Sequence, residues 1–198
     1  MAVSDFEIGT LRAEEIGDAD ALVKEAGWNQ TEADWRIFLD FGTVYVIRDK
    51  GKVIATAAAL PYGGKFAWIS MVLISGYYRR QGLGTKLMQR CIADLTAKGL
   101  TPVLDATPAG RDVYVNLGFE DSFGYKRLLL NDRKFVPALE GNIAVEAISD
   151  SAWPELCAYD ATAFGADRSN ILSRLRGRLP EAEFCVWRGG HIAGFLMG

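Results

Sequence analysis

Hydrophobic positions along this chain change spacing several times, and each change marks an element. Continuous or alternating apolar runs over residues 6–11, 43–48, 52–60 and 66–74 predict strands. Between the first two, Ile16, Ala19, Leu22 and Val23 recur at helical spacing within 13–26, which Gly27 ends. Thr31, with Asp34 three residues on, opens a second helix carrying Trp35, Phe38 and Leu39. Asp49-Lys50-Gly51 is a hairpin signal with glycine in a three-residue loop. Leu83, Leu87, Met88, Cys91, Ile92 and Leu95 then give a helix over 85–97 one apolar face. Residues 102–106 read as a buried strand, 112–117 as a short helix and 125–130 as a last strand. The order β-αα-βββ-α-β-α-β predicts an α/β (α+β) fold, a mixed sheet with helices on both faces.

Residues 131–142, with Pro137, read as a linker that closes a first domain over 1–130. An internal repeat follows in 143–198: a strand at 143–148, helices at 153–164 and 170–178, and a hairpin. In that hairpin Phe184-Cys-Val-Trp-Arg188-Gly-Gly-His-Ile-Ala has the layout of Val44-Tyr-Val-Ile-Arg48-Asp-Lys-Gly-Lys-Val. The incomplete β-α-α-β-β unit stops before any counterpart of the strand at 66–74, so it should lack an anion site of its own. The apolar strand 192–197 would then carry an unpaired edge, which proteins normally cover. The expectation is a truncated fragment, or an edge capped by the first domain or by the second subunit of a homodimer.

Composition narrows the chemistry. With 49% apolar and 24% charged residues, the 198-residue chain suits a globular protein with a sizeable core. A net charge of −3 argues against a general nucleic-acid binder. No apolar run approaches the roughly 20 residues that span a bilayer, so neither nucleic acid nor membrane is an expected partner. The first residues lack the basic and apolar regions of a secretory signal. Cys91, Cys157 and Cys185 are odd in number and form no Cys-x-x-Cys pair, which predicts a reducing, cytoplasmic setting with no disulfide framework and no metal site. His191, the sole histidine, lies far in sequence from any obvious nucleophile, and a serine or cysteine hydrolase is disfavoured accordingly.

The candidate chemistry concentrates in Arg79-Arg80-Gln81-Gly82-Leu83-Gly84-Thr85. A strand feeding a glycine turn that opens a helix offers free N–H groups, a positive helix end and two guanidiniums to one anion. Gly82 and Gly84 lack Cβ atoms and let a phosphate approach the main chain. There is no Gly-Lys-Ser/Thr ending, and Leu87 stands where a dinucleotide fingerprint needs its third glycine, which argues against both of those phosphate loops. Read alone, the two glycines fit a plain strand-to-helix turn about as well.

Residues 1–130 resemble the GNAT superfamily of acyl-CoA-dependent N-acyltransferases. Arg79, Gly82 and Gly84 match its Arg/Gln-x-x-Gly-x-Gly/Ala signature, and Tyr114 with Leu117-Gly118-Phe119 matches its tyrosine followed by Leu-Gly-Phe. The resemblance implies the GNAT fold, with a mostly antiparallel sheet splayed between its fourth and fifth strands, and acetyl-CoA as co-substrate. It implies that main-chain groups of Val72, Leu73 and Ile74 pair with the pantetheine arm as an added strand. Arg79, Arg80, Gln81, Gly82, Leu83, Gly84 and Thr85 would receive the pyrophosphate. Arg80 stands where the family often has glycine, adding charge at a cost in backbone freedom. The implied activity is N-acetyl transfer from acetyl-CoA to the primary amine of a small molecule by direct attack. The alternative is a non-catalytic acyl-CoA-binding sensor or regulatory module.

Direct attack needs a route for the amine proton, a donor for the oxyanion and an acid for the departing thiolate. Tyr114 matches the family's acid. Its reference pKa near 10 lies above the roughly 8.5 of a thiol, so transfer helps only if the phenol is pre-positioned; a core aromatic fits about equally well. No Glu or Asp lies within 66–74, where some members carry a base, and Asp105 at the end of the next strand is the candidate, beside a water chain. The family's frequent asparagine before the following helix is absent, with Thr107-Pro108 in that region. The acceptor is expected near Trp28, Asn29, Gln30 and Trp35 at the junction of the first two helices, and near Tyr62 before the fourth strand. An indole wall with amides suits a small, partly apolar amine, although tryptophans at helical spacing are more often core. Arg168, Arg174, Arg176 and Arg178 read as a solvated helix face.

Overall fold

Five strands, β1 (Ile8–Thr10), β2 (Thr43–Asp49), β3 (Lys52–Tyr62), β4 (Phe66–Ile74) and β5 (Thr101–Val103), form one sheet in that order. Neighbours are antiparallel except β4 and β5, which run parallel. These elements come from a computed structural model that describes residues 6–124, 126 and 144–197. Contacts divide the chain into two units, Met1–Phe119 and Glu120–Gly198. The expected linker at 131–142, and all but Lys126 of the expected strand around 125–130, lie outside the described residues.

Side-chain alternation along β2 assigns the two faces. Val44 and Val46 pack with Ile16, Ala19, Leu22 and Val23 of α1 (Ile16–Glu25) and with Trp35 of α2 (Glu32–Phe41). Tyr45 and Ile47 pack with Leu87, Met88, Cys91 and Leu95 of α3 (Leu83–Ala97), beside Tyr114 of α4 (Pro108–Val115). The predicted capping box forms: the Thr31 amide donates to Asp34 Oδ2 at 2.7 Å. A second carboxylate, Glu15, accepts Arg48 Nε at 2.7 Å and Arg48 Nη2 at 2.6 Å, and is also reached by Arg12.

Three local expectations change. The β2–β3 turn has two residues, because Asp49 pairs with Lys52 and both Lys50 (φ 50°) and Gly51 (φ 82°) are left-handed, which matches the twist of the flanking strands. Helix α4 begins at Pro108 rather than near Asp112, since Thr107 caps it by accepting the Gly110 amide at 3.2 Å and proline suits a first helical position. Strand β5 ends at Val103, short of the expected 106.

The second unit has β6 (Ala144–Ala147), α5 (Trp153–Phe164), α6 (Ser169–Leu175), β7 (Phe184–Arg188) and β8 (His191–Leu196), with sheet order β6-β7-β8. It repeats the first unit down to irregularities. Ile47↔Ala55, Arg48↔Val53 and Asp49↔Lys52 become Val186↔Gly194, Trp187↔Ile192 and Arg188↔His191, with the bulge in the same place. The amide beyond each bulge is taken by a helix carboxylate, Val53 by Asp18 at 3.1 Å and Ile192 by Glu155 at 3.0 Å. Glu15 and Arg48 correspond to Ala152 and Trp187, so one position pair holds an ion pair in the first unit and an apolar pair in the second. Arg168 is committed to Asp160 through two contacts of 2.8 Å, and Arg176 to Asp150.

Candidate active site

The sheet opens where the site forms. β5 accompanies β4 only at Phe66↔Thr101, Ala67↔Pro102 and Trp68↔Val103, and beyond Trp68 no described strand lies on that edge of β4. On its other edge β4 carries a bulge against β3 between Thr56 and Ala58, with Met71 at φ 52° and its carbonyl accepting the buried Thr56 hydroxyl at 2.7 Å. An extra residue reverses which face later side chains occupy. Thus Ala67 and Ile69 join the α3 core, Met71 and Leu73 the α1/α2 core, while Val72 and Ile74 turn to the α3 side.

Val72 and Ile74 there line a cavity of about 330 Å³. Its polar end is the loop: Arg79, Arg80, Gly82, Gly84 and Thr85 contribute, and Gly82 is the left-handed N-cap of α3 at φ 81°. The first N–H groups of a helix have no intrahelical partner, and its dipole adds positive potential. Arg80 adopts φ 58°, the conformation that favours glycine. Arg79 Nε donates to the Ile74 carbonyl at 3.1 Å, and its Nη2 stands 3.9 Å from Glu25 Oε1. On Gly84 a Cβ would stand 3.1 Å from Ile74 Cδ1, so α3 passes close to β4 there.

The apolar end is closed by Met88, Val113 and Tyr114. Tyr114 packs on the α3 core and edge-on to Phe119 at 6.2 Å, and burial pushes its phenol pKa above the usual value. A neutral phenol at the end of a strand-edge cleft can donate a proton or hydrogen bond to a group lying between it and β4. Tyr78 adds a wall, its hydroxyl donating to Asp49 Oδ2 at 2.6 Å.

The structure brings together Val72, Ile74, Arg79, Arg80, Gly82, Leu83, Gly84, Thr85 and Tyr114. Leu73 is buried on the opposite face, so only its main chain can serve the β4 edge. Gln81 donates to the Tyr77 carbonyl at 3.1 Å and does not line the cavity. Asp105 is exposed in the segment after β5, also outside the lining. Trp35 is fully buried core. Trp28 and Asn29 are exposed, Gln30 lines a separate groove against the start of α1, and Tyr62 stacks on Phe66 at 5.6 Å. Sequence reasoning missed Tyr78, Met88, Gly110 and Val113; Gly110 is four residues before Tyr114, and Met88 three after Thr85, spacings that share a helix face. Among the described residues no cluster of three metal-binding side chains occurs, and no helix is long and apolar enough to cross a membrane.

The sequence model of the Acetyltransferase (GNAT) family matches residues 13–119, the segment that carries β2 to α4 and the whole cavity. The chain belongs to the GNAT acetyltransferase family. Its relatives include the uncharacterized N-acetyltransferase YitH of Bacillus subtilis, 24% identical over 191 residues, covering 96% of this chain and 67% of that protein. Among solved structures, a putative acetyltransferase from Pyrococcus horikoshii covers all of this chain and 73% of its own at TM-score 0.68 and 18% identity. A predicted acetyltransferase from Clostridium acetobutylicum, solved with acetyl-CoA, covers 66% of this chain and 99% of its own at TM-score 0.53 and 15% identity. At such identities the two structures establish the GNAT fold alone.

Proposed function

We propose that this GNAT acetyltransferase moves an acetyl group from acetyl-CoA to the primary amine of a small molecule by direct attack. The observation that carries the reading is the cavity itself, lined together by the N-terminus of α3, two arginines, the end of β4 beyond its pairing with β5, and a buried phenol. CoA brings a part for each: a diphosphate for the helix end and arginines, pantetheine amides for the strand edge, and a thioester for the phenol. The diphosphate would sit on the amides of 82–85, with Arg79 and Arg80 adding charge-assisted bonds. The arm would add to the β4 edge at Val72, Leu73 and Ile74. Tyr114 would donate to the departing thiolate, and Asp105 or a water chain would take the amine proton. For Asp105 this requires the exposed segment after β5 to turn toward the cleft. Trp28, Asn29, Gln30 and Tyr62 remain the proposed acceptor contacts.

The reading is tested by following CoA release across an amine panel, with Tyr114→Phe alongside. A second reading, a non-catalytic acyl-CoA sensor, draws on one observation: among the described residues no carboxylate lines the cavity. Turnover on any amine removes it, and CoA binding without turnover on the whole panel favours it.

A further inference from the structure

Glu25, the last residue of α1, touches the entry of the anion loop. Its Oε1 accepts the Gly76 amide and stands 3.9 Å from Arg79 Nη2. A Cβ on Gly76 would lie 2.8 Å from that same oxygen, so glycine at 76 is what admits the carboxylate. Helix α1 packs on the sheet face opposite α3. The contact therefore fastens the helix leading to Trp28 and Asn29 to the loop proposed to seat the donor, across 51 residues of chain.

Two properties of one side chain act here with opposite sign. As a hydrogen-bond acceptor, Glu25 fixes the main chain where β4 hands over to the loop. As an anion, it lies within ion-pair range of Arg79, whose side chain is 53% exposed and so able to turn to another partner. A diphosphate arriving at Arg79 meets a negative charge already in place, and Coulomb repulsion between the two opposes its binding.

We propose that Glu25 is a positioning residue of the donor site: its carboxylate anchors the loop entry through the Gly76 amide and serves Arg79 as a resident counter-ion that the CoA diphosphate displaces. The proposal rests on the acetyl-CoA reading above. The exchange is of ionic partners only; no bond is made or broken.

Glu25→Gln separates the two properties, because an amide oxygen still accepts from Gly76 while the charge is gone. Glu25→Ala removes both, and Gly76→Ala expels the carboxylate while leaving its charge on α1. The measurement is calorimetric titration of the full chain with CoA and, separately, with S-acetylpantetheine, which has no phosphate, after thermal melts show that each variant is folded. The expected result is CoA binding about two- to fivefold tighter for Glu25→Gln at low salt, the range of a surface ion pair. That gain fades as salt rises, S-acetylpantetheine affinity does not move, and both alanine variants bind CoA more weakly than Glu25→Gln. Steady-state kinetics of Glu25→Gln should show a lower KM for acetyl-CoA at unchanged kcat. If the unchanged protein binds CoA and Glu25→Gln binds it no tighter, or tightens both ligands alike, the role of Glu25 falls alone. If the unchanged protein binds no CoA, the acetyl-CoA reading falls and this inference with it.

Discussion

A Cβ on Gly110 would stand 3.1 Å from Cε2 of Tyr114, one helical turn further along α4. Long side chains on a helix lean back over the preceding turn, and here the bare glycine makes the space the ring occupies. Gly110→Ala should displace the phenol by a few tenths of an ångström and lower kcat by roughly tenfold, since positioning errors of this kind are costly in catalysis. CoA affinity should stay close to its original value. Alanine is the better helix former by about 0.5–1 kcal/mol, so the melting temperature should not fall, and loss of rate with retained stability is the signature to look for.

Tyr114→Phe keeps the ring and removes the proton. Acid catalysis contributes roughly 10²–10⁴ in rate, and a loss toward the lower end is expected because the thiolate is a good leaving group. Burial raises the Tyr114 pKa, so the phenol stays protonated past its usual range near 10. The ratio of original to variant rate should therefore remain flat with pH up to that value, measured on one amine in parallel profiles. A ratio that declines below pH 9 would contradict the assignment.

Arg80 carries a left-handed backbone, φ 58°, at a position where glycine is unstrained. Arg80→Gly should relieve about 1 kcal/mol of strain, raising the melting temperature by roughly 2–4 °C for a chain of this size. It should also weaken CoA severalfold and flatten the salt dependence of binding, because one cation of the proposed diphosphate seat is gone. Opposite signs for stability and affinity would show that strain is kept at the loop for charge. Equal affinity would remove Arg80 from the diphosphate site.

The Glu15 carboxyl is held at about pKa 2, chiefly by hydrogen bonds from Arg48 and with help from Arg12, against the opposing effect of burial. Its folded-state pKa lies below the ordinary 4.5, so its contribution to stability is complete above about pH 4.5 and is lost as pH falls toward 2. Urea unfolding at pH 6 and pH 3 should show a drop that is smaller in Glu15→Gln, the remainder belonging to other carboxylates held below their usual range, such as Asp94. Arg48 keeps 25% of its side chain exposed, so removing either partner should cost on the order of 2 kcal/mol, less than for a fully buried pair. The pair Glu15→Ala with Arg48→Trp copies the arrangement at Ala152 and Trp187, and should recover part of what each single change loses.

Much of the frame was legible in the sequence because it is set by neighbours in the chain. The strand at Phe66–Ile74 and the helix at Trp153–Phe164 fall at their expected bounds, since apolar runs and helical spacing are local signals. The repeat was legible too, as the strand-turn-strand layout that begins at Val44 recurs from Phe184. The loop at Arg79–Thr85 stood out through its glycines and arginines, and the family was legible through that loop with Tyr114 and Leu117-Gly118-Phe119.

Only the tertiary structure decided which side chains face the cavity. Along β4 a strict alternation would keep Ala67, Ile69, Met71 and Leu73 on one face, yet the bulge at Met71 moves the last two to the other side and delivers Val72 and Ile74 to the cleft. A bulge is a mismatch in residue count between two strands, so it belongs to the pairing with β3 and not to β4 alone. Trp35 shows the same limit, because helical spacing looks alike in a core and in a pocket wall, and its full burial separates them. What the chain encodes locally is where elements begin, how they turn and which loop carries charge; which residues meet across the fold depends on register between segments distant in sequence.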